Sequence, residues 1–294
     1  VKLFRAVTAF ALTFVSVGAA QKPPQKPPSR PAPAPAIPKP QTVDPIVSQF
    51  EDGAPIGGQK LIVGEFAFFR FGVVNYHVSD EGAVKLTGRV QVFDPRGTPI
   101  APADEVGIAT SIREEDKDWK PRIHSQFQLP GIAPPGTYAI RFEATDEQTH
   151  LKANGETTFE VEGRNVPASP TLTIRNIGFY RDAEEETALG VAAYRPADTV
   201  WVKFDATGFR YGEQNSIDVS YDVAVTGPDG KQVFAQENAA TEKSQASYPQ
   251  PWVPGTFSLT LTGDTGKGTY TLAITARDSI GKQTVTEKAE FKVE

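Results

Sequence analysis

The stretches GTYAIRFEATD (136–146) and GTYTLAITARD (268–278) decide how the rest of the chain is read. In each, apolar residues fall on alternate positions, Tyr138/Ile140/Phe142/Ala144 and Tyr270/Leu272/Ile274/Ala276. Side chains with a period of two sit on one face of a strand. The two stretches lie 132 residues apart, and a gapless overlay of 129–162 on 261–294 matches at ten of 34 positions, where composition alone gives roughly two. Upstream the offset becomes 133: Trp119-Lys120-Pro121 overlays Trp252-Val253-Pro254, and Pro95-Arg96-Gly97 overlays Pro228-Asp229-Gly230. One residue has therefore been gained or lost between the Trp-x-Pro element and the following strand.

Working outward, each copy continues in strands. Val84, Leu86, Val90 and Val92 alternate with Lys85, Thr87, Arg89 and Gln91; Ile217, Val219, Tyr221, Val223 and Val225 alternate with Asp218, Ser220, Asp222 and Ala224. Further strands are expected at Val200/Val202/Phe204 and Phe257/Leu259/Leu261. Turn residues at 94–97 and 227–230 punctuate them,. No capped helical run of ten or more residues stands out, so the expected class is all-β, with antiparallel sandwiches at 42–163 and 171–294 joined by a short linker at 164–170.

The paired GTY stretches resemble the penultimate strand of immunoglobulin-like and fibronectin III-like domains. That resemblance implies two tandem sandwiches of this type, with Tyr138 and Tyr270 forming tyrosine corners that bond back to the backbone. The chain departs from antibody domains in having no cysteine pair. The resemblance leaves function open, since this architecture carries adhesins, accessory modules, chaperones and inhibitors alike.

The first 41 residues have a different composition, with no Asp or Glu. Lys2 and Arg5 precede an apolar run over 6–17 that ends in Gly18, Ala19 and Ala20. This layout is expected to be a signal peptide over 1–20, too short for the roughly twenty residues of a membrane span. Residues 21–41 hold nine prolines and the cations Lys22, Lys26, Arg30 and Lys39. They are expected to form an extended basic spacer, either a stalk lying against an anionic surface or a plain leader. A secreted or periplasmic protein follows as the expected localisation, with any membrane contact limited to the export signal or the spacer.

The chain has no cysteine, which removes disulfides, zinc–thiolate sites, cysteine nucleophiles and lipid-modified cysteine,. Its formal charge is −6, and setting aside the basic leader and spacer leaves 24 Lys plus Arg against 36 Asp plus Glu, a net near −12. Such a body is not expected to bind nucleic acid.

No catalytic residue is assigned. There is no Gly-x-Ser-x-Gly, and His77, His124 and His150 fit no metal-ligand spacing,. The run 263–269, GDTGKGT, is read as a hairpin turn and not as a phosphate loop,. The acidic groups at 114–116 and 182–186 lack the Asp-x-Asp pattern of a calcium loop and are read as solvated charge,. No metal or cofactor is expected.

The candidates for ligand contact are Trp201, Trp119 and Trp252. A tryptophan beside a rigid proline offers either a flat platform for a sugar ring or a strand-opening residue that fills the end of a core. Trp201 is out of register with Val200, Val202 and Phe204, so it is expected on the opposite face. The expected function is an exported, non-enzymatic cell-envelope binding or scaffold protein that contacts another envelope or extracellular protein. A carbohydrate-binding accessory protein is the alternative, and a hydrolase with an unrecognised carboxylate pair is a third reading.

Overall fold

Alternation of apolar and polar residues produces long strands throughout the computed structural model, which describes residues 39–116 and 118–294. The expected signal peptide and all but the end of the spacer lie outside the described residues. The N-terminal half contains β1 (Gln41–Ser48), β2 (Leu61–Ile62), β3 (Phe66–Val74), β4 (Ala83–Phe93), β5 (Asp104–Ser111), β6 (Arg122–Gln128), β7 (Gly136–Asp146) and β8 (Lys152–Glu162). The C-terminal half repeats the series with β9 (Thr173–Tyr180), β10 (Ala193–Tyr194), β11 (Thr199–Thr207), β12 (Ile217–Thr226), β13 (Gln232–Ser244), β14 (Trp252–Thr260), β15 (Gly268–Asp278) and β16 (Gln283–Val293). Two single-turn 3-10 segments, Glu114–Asp116 and Glu213–Asn215, are the helical elements among the described residues.

The sheet order of one half is the sheet order of the other. Strands β1-β3-β6 and β2-β8-β7-β4-β5 form the first pair of sheets, and β9-β11-β14 and β10-β16-β15-β12-β13 the second. Pairing is antiparallel except for the two-residue bridges β2–β8 and β10–β16. Each pair of sheets encloses its own apolar cluster. One gathers Phe69, Phe71, Ile123, Ile140 and Tyr138; the other gathers Phe204, Val219, Tyr221, Ile274 and Phe291. Both belong to a single compact unit, and the fold is an all-β sandwich.

The alternation read from β4 and β12 is the observed one: Val84, Leu86, Val90 and Val92 are buried, as are Ile217, Val219, Tyr221, Val223 and Val225. One expectation fails. Residues 263–269 do not close a hairpin, because β14 and β15 lie in different sheets and the segment carries the chain from one sheet to the other. Its glycines mimic hairpin chemistry, but the strand before it pairs with β11 and the strand after it with β12 and β16.

The two GTY tyrosines lock equivalent corners. Tyr138 donates its hydroxyl to the Pro134 carbonyl at 2.8 Å, and Tyr270 donates to the Gly266 carbonyl at 2.8 Å. At the other end of the same strands, Asp146 and Asp278 are buried and serve as backbone caps. Asp146 accepts the N–H groups of His77, Gln148 and Thr149; Asp278 accepts those of Arg210, Ile280 and Gly281. Each aspartate thus satisfies donors on two loops that no strand ladder reaches.

Candidate functional site

The most elaborate polar construction lies at the junction of the two halves and starts in the 94–98 turn. Asp94 Oδ1 accepts the N–H groups of Arg96 (2.9 Å) and Thr98 (2.8 Å), which folds the turn around the carboxylate. Its Oδ2 accepts Arg96 Nε (3.1 Å) and Nη2 (3.0 Å), and also the hydroxyl of Tyr248 (2.9 Å) from the opposite half. That hydroxyl in turn accepts from Arg96 Nη2 at 3.0 Å. Tyr248 is buried and belongs to the core cluster of the N-terminal half, although it is carried by the loop between β13 and β14. Burial alone would raise the Asp94 pKa, but the Thr98, Tyr248 and Arg96 hydrogen bonds and the Arg96 charge outweigh it and hold the carboxyl below its usual range,. Burial and the adjoining Asp94 carboxylate push the Tyr248 phenol up, so it remains a hydrogen-bond donor.

The loop that delivers Tyr248 is held by side chains of its own half. Asn215 Nδ2 donates to the Ala246 and Ser247 carbonyls, Tyr211 donates to the Gln250 carbonyl, and Thr207 donates to the Pro251 carbonyl. A second tie runs from the linker. Arg164 pairs with buried Asp205 at 2.7 Å and lies over the ring of Trp252, with its guanidinium carbon 5.3 Å from the centroid. Asn176 donates to the same Asp205 oxygen at 2.7 Å, while the second oxygen finds no partner among the described residues. Burial dominates here and raises the Asp205 pKa, against the Asn176 bond and the Arg164 charge.

The three tryptophans are not brought together. Trp252 opens β14 opposite Thr207 and is buried under Arg164, whereas Trp201 pairs with Ser258 further along the same two strands. Trp201 does lie opposite the buried Val200, Val202 and Phe204, but it is half-buried. The exposed tryptophan is Trp119, at 38%, its ring edge-on to Tyr76. Strand pairing explains why the two Trp-x-Pro copies differ. Gly72 pairs with Arg122 as its counterpart Asp205 pairs with Pro254, so the inserted residue falls at the start of β6 and leaves Trp119 outside the strand.

Trp119 edges a groove of about 680 Å³ on the outer face of the first three-stranded sheet, together with Asp44, Arg70, Lys120 and Arg122. Arg70 is committed to the 48–53 loop, donating to the Gly53 carbonyl at 2.8 Å and the Glu51 carbonyl at 3.2 Å. Lys120 and Arg122 are exposed and leave the groove cationic and aromatic.

Neither acidic group builds a cation site. Asp182 spends an oxygen on the N–H groups of Glu184 and Glu185. Among the described residues no group of three or more His, Asp or Glu side chains converges to hold a metal, and no helix is long and apolar enough to cross a membrane. His77 and His150 contribute backbone N–H groups to the Asp146 corner, and His124 lies half-buried on β6.

The junction was missed by sequence reasoning. Asp94 and Arg96 were visible only as turn residues, and Tyr248 lies in a loop with no periodicity to mark it. No protein-family model matches the chain, and no curated protein matches it.

Proposed function

We propose that the chain is an exported, non-catalytic scaffold or binding protein of the cell envelope that acts through protein–protein contact, built from two immunoglobulin-like sandwiches. One observation carries this reading: Tyr248 enters the core cluster of the other half and closes on buried Asp94. A junction that buries an aromatic side chain and a hydrogen-bonded carboxylate restricts relative motion of the halves. Fixed relative placement serves a protein that holds partners at a set spacing. The paired tyrosine corners support the immunoglobulin-like assignment.

Affinity capture from a native envelope extract, with the purified chain as bait, tests the reading. The expected result is one protein retained in stoichiometric amount, with Tyr248→Ala weakening retention because the halves no longer hold their arrangement. Retention on insoluble polysaccharide with no bound protein would overturn it.

That second outcome belongs to the alternative reading, a carbohydrate-binding accessory protein. The groove beside Trp119 favours it, since an exposed indole flanked by Lys120 and Arg122 suits an anionic sugar ring,. Trp119→Ala would then abolish polysaccharide retention while Trp201→Ala leaves it unchanged.

A further inference from the structure

The duplicated halves treat the same pole of the sandwich differently. In the N-terminal half the pole formed by the 94–98 turn and Tyr138 receives Tyr248, and Ile100, the first core residue after that turn, is only 5% exposed. The corresponding pole of the C-terminal half is formed around Tyr270, the counterpart of Tyr138. It holds an open cavity of about 360 Å³ lined on one side by Val225, Val233, Phe234, Leu261, Tyr270 and Phe291 and on the other by polar residues of the 262–266 segment. The chain after the 227–230 turn crosses a bulge there, leaving Phe234 half-buried and Val233 58% exposed.

We propose that this C-terminal pole is a docking socket for an aromatic side chain carried on an extended, proline-flanked loop of a partner protein, in the way the N-terminal pole takes Tyr248. The occupant is inferred from the molecule itself. One copy of the repeat shows the pole filled, by a residue between Ser247 and Pro249 on a loop pinned through its carbonyls. In a second copy of this chain the Tyr248 loop is already engaged at its own N-terminal pole, and the equivalent loop of its N-terminal half carries no aromatic residue at that place. The offset of 133 that holds up to the Trp-x-Pro element makes Glu115 the counterpart of Tyr248, beside Glu114 and Asp116, and a carboxylate entering a pocket that already has Asp264 at its edge is disfavoured,.

The two poles also differ in what they ask of the aromatic ring. Asp94 and Arg96, which take the Tyr248 hydroxyl, are replaced by Gly227 and Asp229, while Thr262, Asp264 and Thr265 border the C-terminal cavity. The C-terminal pole therefore accepts phenylalanine at least as well as tyrosine, whereas the N-terminal pole selects tyrosine.

The test uses the full chain with labelled Val and Leu methyl groups, and the heptapeptide QASYPQP, residues 245–251, with its Phe and Ala versions at the tyrosine position. In the unaltered protein the Tyr and Phe peptides are expected to shift Val225, Val233, Leu259 and Leu261, and the Ala peptide to shift none. Val233→Glu, at a position 58% exposed, is expected to weaken this binding about tenfold or more. Tyr248→Ala is the control: it vacates the N-terminal pole, so the Tyr peptide then also shifts Val92 and Leu129. Filling of the vacated N-terminal pole without filling of the C-terminal one would overturn the proposal. Shifts in neither place would overturn it as well, because the loop would then carry no affinity of its own. The inference rests on the protein-binding scaffold reading, yet the two fail separately. A stoichiometric captured partner that Val233→Glu leaves bound would sink the socket and spare the scaffold, while self-association of the pure chain through this pole would name the wrong occupant.

Discussion

The two halves of the chain share sheet order, tyrosine corners and aspartate caps, yet fill the middle of their cores in opposite ways. In the N-terminal half Gly88 on β4 faces Ile123 on β6, and a Cβ at Gly88 would stand 2.6 Å from the Ile123 side chain. Their counterparts are Tyr221 on β12 and Gly255 on β14, where a Cβ at Gly255 would run into the Phe204 ring. The bulk has changed strands: large on β6 and absent on β4 in one copy, absent on β14 and large on β12 in the other. Conserved topology with exchanged volume means the frame depends on strand pairing and total core volume, while individual residues are set by their opposite neighbour.

That exchange can be broken first, and it carries the largest expected effect. Tyr221→Gly removes a buried ring that packs edge-on to Phe204 at 5.0 Å and is expected to cost about 4 kcal/mol,. Gly255→Ile overpacks the same space and is expected to cost about 2 kcal/mol. The double substitution imports the N-terminal solution, so urea titration should find it more stable than the sum of the single losses predicts. Simple additivity would show that the two positions do not share one volume.

Much of this frame was legible from alternation, because a strand with one buried face must repeat with period two. Strands β4, β7, β12 and β15, four of the six inner strands of the two five-stranded sheets, have that pattern over nearly their whole length. The edge strands do not. Strand β13 is mostly exposed along thirteen residues and β5 along eight, so no apolar face marks them. The run 263–269 was misread because glycine-rich chemistry reports a turn without reporting which sheet the next strand joins. At the junction the limit is different in kind: Asp94 and Tyr248 are 154 residues apart, and nothing local to either announces the other. The tryptophans were visible, but their exposure was set by a one-residue insertion at the start of β6 that only strand register resolves.

The junction offers the next test, since its two buried aspartates are expected to respond oppositely to pH. Tyr248→Phe removes the hydroxyl from Asp94 and is expected to cost about 1.5 kcal/mol. Asp94 has a lowered folded pKa, so its contribution is present above the unfolded carboxyl value of about 3.9 and is lost as pH falls through the folded value,. Asp205 has a raised folded pKa, so its contribution is complete below about 3.9 and declines as pH rises through the folded value,. Asp94→Asn should therefore flatten the acid limb of the stability profile, and Asp205→Asn should steepen the net gain between acid and neutral pH. Asp205→Asn is also expected to stay within about 1 kcal/mol of the parent at neutral pH, because Arg164 is half exposed and water can solvate it once unpaired,. A loss of several kcal/mol would show that the Arg164 pair, not the burial of Asp205, dominates.

The smallest expected difference lies between the two tyrosine corners. Tyr138→Phe and Tyr270→Phe each remove one hydroxyl-to-carbonyl bond of 2.8 Å, so each is expected to cost about 1 kcal/mol,. Their surroundings differ in one respect: Tyr138 is fully buried beneath the pole that Tyr248 fills, while Tyr270 borders the open cavity. The Tyr138 side chain has no contact with water, whereas the Gly266 carbonyl that Tyr270 bonds belongs to a residue lining a cavity that water can enter. Tyr138→Phe should accordingly cost more, by a few tenths of a kcal/mol. In a Tyr248→Ala background that gap should close, because the N-terminal pole then opens as well. A gap that persists in that background would assign the difference to the corners themselves and remove the occupied pole from the explanation.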